Sequence, residues 1–127
     1  MPTPNPPKPT GAELELLRQL WLSGPVSARQ LHEQLQPQRP ELSYANVLRQ
    51  LQLMHGKGLL TRDETQRSHL YAPAHSQSSM QHRLLRELVT KVFAGSGKAL
   101  VMAALRGHVS EDERAEIEQM LKEERQA

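Results

Sequence analysis

The sequence predicts a mainly α-helical fold, with three helices and a two-stranded wing followed by a second, purely helical region. Three observations lead there. Leucines recur at three- and four-residue spacing through most of the chain, which is the period of an amphipathic helix. Ser/Thr-x-x-Glu/Gln boxes at Thr10, Ser27 and Ser110 mark helix starts. Residues 59–63 and 68–72 read as short strands paired around the polar turn 64–67. With one Trp, two Tyr and one Phe, the chain is too poor in aromatic residues to favour packing of sheet on sheet.

The elements follow in order. Residues 1–9 hold five prolines and little that can pack, so they read as a disordered or polyproline lead-in. Thr10 and Glu13 cap a first helix over 11–22, with Leu14, Leu17, Leu20 and Trp21 on one face, and Gly24-Pro25 stops it. Ser27 and Gln30 cap a second helix that buries Leu31 and Leu35. Pro37 and Pro40 bracket a loop, and Ser43 caps a third helix. Val47, Leu51 and Met54 form its apolar stripe, with Leu48 beside them, while Asn46, Arg49, Gln50 and Leu53 face outward. Lys57-Gly58-Leu59-Leu60 ends the helix and starts the wing, and Pro73 closes the unit. This is the winged helix-turn-helix arrangement, assigned to residues 10–75.

Residues 76–127 have a different character. A helix over 79–94 carries Met80, Leu84, Leu85, Leu88, Val89, Val92 and Phe93; Gly95-Ser96-Gly97 breaks it. A short helix over 98–106 includes Leu100, and Ser110 opens a last helix with Ile117, Met120 and Leu121 expected inward. Three short helices cannot bury that much apolar surface within one subunit, so pairing with a second copy is the economical solution. The interface and core candidates are Leu84, Leu85, Leu88, Val92, Phe93, Leu100, Ile117, Met120 and Leu121. A purely intramolecular core is the alternative.

Composition narrows the function. Net charge is +2, and the basic surplus falls after Leu42 within the first 75 residues, whereas residues 76–127 balance. A local positive patch suits nucleic acid. The absence of cysteine excludes disulfides, thiolate metal sites and cysteine nucleophiles. No apolar run approaches the roughly 20 residues of a membrane span, and the N-terminus lacks a signal peptide's apolar segment, so the expected compartment is the cytoplasm. None of the six histidines pairs with another at helical metal-ligand spacing. Gly95-Ser96-Gly97-Lys98 resembles a fragment of a phosphate loop, but Val92 and Ala99 occupy positions that need Gly and Ser or Thr. No enzymatic activity and no cofactor are expected.

The third helix carries the chemistry. From Ser43 to Arg62 the chain has Arg49, Lys57 and Arg62 and no carboxylate. An apolar back with a cationic, amide-bearing front is what reading base edges requires. Arg49 can fork onto guanine O6 and N7, Asn46 can pair with adenine N6 and N7, and Gln50 stands at the edge of the face. Ser43 and Tyr44 sit where backbone amides at a helix N-terminus favour a phosphate, although Tyr44 can equally pack on the second helix. Ser27 and Arg29 are placed to hold the DNA backbone, as is Arg67 at the wing tip. Lys57 and Arg62 are further backbone candidates unless the helix-to-strand junction turns them to solvent.

These residues together resemble the penicillinase-repressor (BlaI/MecI/CopY) family of bacterial transcriptional repressors. The likeness runs from about Thr10 to Lys122, through Ala12-Glu13, Leu20-Trp21, Val47, Leu51, Lys57-Gly58-Leu59-Leu60-Thr61-Arg62, Arg67, Tyr71 and Pro73. The resemblance implies a homodimer, each subunit with a winged helix and a helical dimerisation region, bound to double-stranded DNA at an inverted repeat in a promoter. It also implies, for the penicillinase branch, a membrane sensor protease as partner, which cuts an Asn-Phe bond. Ala103-Ala104 stands at that position here. The copper-responsive branch uses C-terminal cysteines, which this chain lacks. Asn46 and Arg49 stand where the family often has threonines, and Leu53 where it has an arginine, so the operator is expected to differ. Gln66 replaces a common wing-turn glycine. A winged-helix module that binds another protein, and a ligand-responsive DNA-binding regulator, are the competing readings.

Overall fold

The computed structural model describes residues 7–126. Six helices and one two-stranded antiparallel sheet make up these residues, so the mainly α, winged-helix expectation holds. Most of the Pro-rich lead-in lies outside the described residues. Of its described part, Pro7 and Lys8 are exposed and Pro9 is buried.

Helix α1 spans Gly11–Ser23, and its capping box forms as the sequence indicates: Thr10 Oγ1 accepts from Glu13 N at 3.1 Å, and Glu13 Oε1 accepts from Thr10 N at 2.9 Å. Its buried face is Glu13, Leu16, Leu17 and Leu20; Leu14 and Trp21 are only half-buried. The buried stripe is rotated from the expected one because α1 packs against both the second helix and the wing. Trp21 Nε1 instead donates to the His75 carbonyl at 3.0 Å, clipping the chain just after the wing. Helix α2, Ala28–Leu35, starts on the Ser27–Gln30 box and buries Ala28, Leu31 and Leu35.

Helix α3, Tyr44–Gly56, is capped by Ser43, whose Oγ accepts from Asn46 N at 3.1 Å, and it buries Val47, Leu51 and Met54. Its end follows from one glycine. Gly58 takes φ +83°, a region glycine enters without steric cost. Gly58 N then donates to His55 O and Leu59 N to Met54 O, the paired bonds of a Schellman cap.

Strands β1, Leu60–Asp63, and β2, Leu70–Pro73, pair with Leu60 opposite Pro73 and Asp63 opposite Leu70. Both start later than the sequence suggests. Leu59 is used by the helix cap and lies buried, and Ser68 and His69 belong to the turn. Asp63 Oδ1 shapes that turn, accepting from Thr65 N at 2.9 Å and from Thr65 Oγ1 at 2.7 Å. An Asx-type bond therefore organises the residues beside Gln66 without a glycine. Val26, in the α1–α2 connection, adds a bridge to Tyr71: Val26 N donates to Tyr71 O and Tyr71 N to Val26 O. Leu17, Leu20, Leu31, Leu51, Met54 and Leu59 form the centre of the resulting core.

The chain divides into two compact units between His82 and Arg83, within helix α4. Helix α4, Gln77–Lys91, starts two residues before the expected position because Ser76 Oγ accepts from Ser79 N. Helix α5, Gly97–Gly107, is capped by Ser96, and α6, Glu111–Gln126, by a complete Ser110–Glu113 box. Neither α5 nor α6 buries a single residue. Ile117 is half-buried, but Met120 is 65% and Leu121 57% exposed. Within one chain these two are therefore not inward, contrary to the expectation.

Candidate nucleic-acid interface

Burying Val47, Leu51 and Met54 turns the opposite side of α3 to solvent. Asn46 and Arg49 are exposed there, together with Gln52 and Leu53. Gln50 is half-buried, and with Asn46, Arg49 and Leu53 it lines a groove on the α1 side of the helix, opposite Ala12, Glu15 and Leu16. Among the described residues no carboxylate pairs with Arg49, so its guanidinium is available to a ligand.

Two grooves flank α3, and their electrostatics differ. The α1-side groove, about 420 Å³, is walled by Leu16, Leu42, Val47 and Leu53, and its Arg39 is paired with both Glu15 and Glu41. The wing-side groove, about 290 Å³, draws on three elements: Ser27 and Arg29 from the start of α2, Tyr44 and Gln52 from α3, and Arg67 and His69 from the wing. No acidic residue lines it. Four of the sequence candidates (Ser27, Arg29, Tyr44 and Arg67) thus meet in one place. Ordinary dielectric reasoning makes such a carboxylate-free cleft attractive to a phosphodiester strand.

Tyr44 acts as a spacer in this groove. The Arg29 guanidinium lies 5.8 Å from its ring centroid, and its ring meets His32 edge-on at 6.3 Å. The ring therefore packs on α2, as one of the two expectations had it, while the residue stays 42% exposed. Ser27 and Ser43 use their hydroxyl oxygens as helix caps, accepting from Gln30 N and Asn46 N.

Two candidates are placed elsewhere. Lys57 Nζ donates to Glu13 Oε2 at 2.8 Å, and Glu13 is only 2% exposed. Burial pushes the Glu13 carboxyl up, but Lys57 and the Thr10 backbone and hydroxyl together hold it below the usual carboxylate range. The Lys57 ammonium is thereby committed to α1. Arg62 is half-buried, donates from Nε to Glu64 Oε1 at 2.7 Å, and also hydrogen-bonds Tyr71. Neither cation is free for phosphate in this arrangement. Sequence reasoning missed both partners because Glu13 lies 44 residues from Lys57, and because the turn brings Glu64 back onto Arg62.

Sequence reasoning also passed over Gln52 and His69. The signal for Gln52 was present: three residues after Arg49, it falls on nearly the same side of a 3.6-residue helix. In the second unit, Leu84, Phe93, Leu100 and Ile117 are half-buried, while Leu85, Leu88, Val92, Met120 and Leu121 are exposed. Val101 and Met102 of α5 join them on the open surface and were not anticipated.

Among the described residues no three His, Cys, Asp or Glu side chains gather as a metal site, and no helix is long and apolar enough to cross a membrane. In comparisons with known proteins, the penicillinase repressor family profile matches residues 9–123. No curated protein matches the chain.

Proposed function

The chain belongs to the penicillinase repressor family, whose members are DNA-binding transcriptional repressors, and from that premise we propose that it acts as a homodimer occupying an inverted-repeat operator. The observation that carries this reading is the exposed, carboxylate-free side of α3, bordered by a cationic groove built from α2 and the wing. Arg49 and Asn46 read base edges, Arg49 forking onto a guanine and Asn46 pairing with an adenine, with Gln50 at the margin toward α1. Ser27, Arg29, Ser43, Tyr44 and Arg67 hold phosphates and set the register. Bound across a promoter, the dimer represses by occupancy.

The homodimer is supported by the second unit. A chain that leaves Leu85, Leu88, Val92, Met120 and Leu121 open to water has reason to pair. Two copies related by a two-fold axis present two α3 helices to successive major-groove faces, about 10 base pairs apart centre to centre. The Ala103-Ala104 pair lies inside α5, and occupancy needs no cut there.

Fluorescence anisotropy with labelled promoter duplex, over a salt series, tests the reading. Specific binding is expected to weaken steeply as salt rises, because each neutralised phosphate releases counterions. Weak binding with a flat salt response would instead favour a protein-interaction module.

A further inference from the structure

The open side of α3 extends beyond Asn46 and Arg49. Gln52 is exposed, makes no hydrogen bond among the described residues, and lines the wing-side groove with Arg29, Arg67 and His69. A DNA strand held by Arg29 and Arg67 would run beside Gln52. Its carboxamide carries a donor and an acceptor together, the complement of adenine N6 and N7. Gln50 has the same carboxamide, but it is half-buried on the α1 side. Leu53 lines the α1-side groove with Asn46 and Arg49. It is 49% exposed and lies four residues after Arg49. An apolar side chain left open amid polar reading groups is suited to a thymine 5-methyl group, the one apolar feature of the major groove.

We propose that Gln52 and Leu53 are specificity-determining residues, Gln52 for an adenine and Leu53 for a thymine methyl; the inference rests on the repressor reading above. The operator half-site then contains, besides the guanine under Arg49 and the adenine under Asn46, a second adenine read from the wing side of α3 and a thymine read near Leu53.

The test uses the full-length protein and a pool of randomised duplexes. Wild type is first used to select its preferred sequence, and each adenine in that sequence is then replaced by 7-deazaadenine and each thymine by uracil. Two 7-deazaadenine positions, one under Asn46 and one under Gln52, are each expected to cost wild type about tenfold in affinity, and one uracil position about fourfold, as for a single buried methyl-sized group. Gln52→Ala is expected to lose affinity for the native site and to become insensitive to one of these two 7-deazaadenines while keeping its response to the other. Leu53→Ala is expected to become insensitive to that uracil and to keep both 7-deazaadenine responses. Variants that retain the wild-type analogue responses, or that lose affinity equally for every sequence, overturn the proposal while leaving the repressor reading intact. A wild type that enriches no sequence removes both.

Discussion

The two units of this chain solve opposite problems. The winged unit closes its own core: Leu17, Leu20, Leu31, Leu51, Met54 and Leu59 are almost fully withdrawn from water, and the one buried carboxylate, Glu13, has a cation on it. The second unit has well-capped helices, yet α5 and α6 bury nothing. Capping satisfies backbone donors, but only packing of an apolar face makes short helices stable in water. On the proposed homodimer reading, the second unit leaves its core to be completed by its partner, at which point folding and association become one equilibrium.

The sharpest way to break this contrast is to charge the open face. Leu88→Asp combined with Leu121→Asp is expected to abolish dimerisation, since the two subunits would bury four unpaired carboxylates at the interface, each costing several kcal/mol. Sedimentation should show a monomer whose winged unit still melts cooperatively. An unchanged dimer would mean that the pairing surface lies elsewhere. The reverse lesion is Leu51→Ala, which empties the centre of the winged core. It is expected to cost about 3 kcal/mol, within the usual range for a buried leucine, while the oligomeric state persists. Thermal unfolding read beside sedimentation separates the two effects.

Arg49→Ala addresses binding rather than folding. The expected loss is about 2 kcal/mol of specific affinity, with relaxation at one base position and no change in melting temperature. Gel-shift titration against single-base operator variants checks it, and an unaltered base preference would remove Arg49 from the reading set.

Much of the winged unit was legible because its signals are local. The caps at Thr10, Ser27 and Ser43 and the Val47, Leu51 and Met54 stripe all act within one helix, and each forms as the spacing indicates. What escaped reading is tertiary. The Val26–Tyr71 bridge and the Glu13–Lys57 pair join residues far apart in sequence, so no window of local periodicity contains them. The same cause explains the candidate site. Arg67 and Arg29 were legible as cations near the right turns, and they share one groove; Lys57 and Arg62 looked equivalent in sequence, but Lys57 has a partner, Glu13, that only the fold supplies, and Arg62 pairs with Glu64 two residues on, which the wing turn brings back onto it. The shift of the α1 stripe to Leu16 has the same origin, because Leu16 sits beside Val47 and Leu53 of α3, neighbours that no local pattern in α1 foretells.

The smallest expected effect compares one motif in two settings. Thr10–Glu13 and Ser110–Glu113 are equivalent capping boxes with near-identical hydrogen bonds. Glu113 is exposed, and its carboxyl is held below the ordinary value by the Ser110 backbone and hydroxyl alone. Glu13 is buried; burial raises its carboxyl, and Lys57 with Thr10 more than offsets that rise. A carboxylate held below its unfolded value near 4.5 contributes stability that is complete above that pH and is lost as pH falls through the folded value. Acidification below about pH 4.5 should therefore loosen α1 from the end of α3 and weaken the winged unit. Glu13→Gln is expected to cost about 1–2 kcal/mol at neutral pH, as for a charged hydrogen bond lost from a buried site, and to flatten this acid response. Glu113→Gln leaves the winged unit's acid response as it was, because its box touches nothing outside its own helix end. Equal behaviour of the two variants in urea melts at pH 7 and pH 4 would show that Lys57 adds nothing to the first box, and that the α1–α3 tie rests on apolar packing alone.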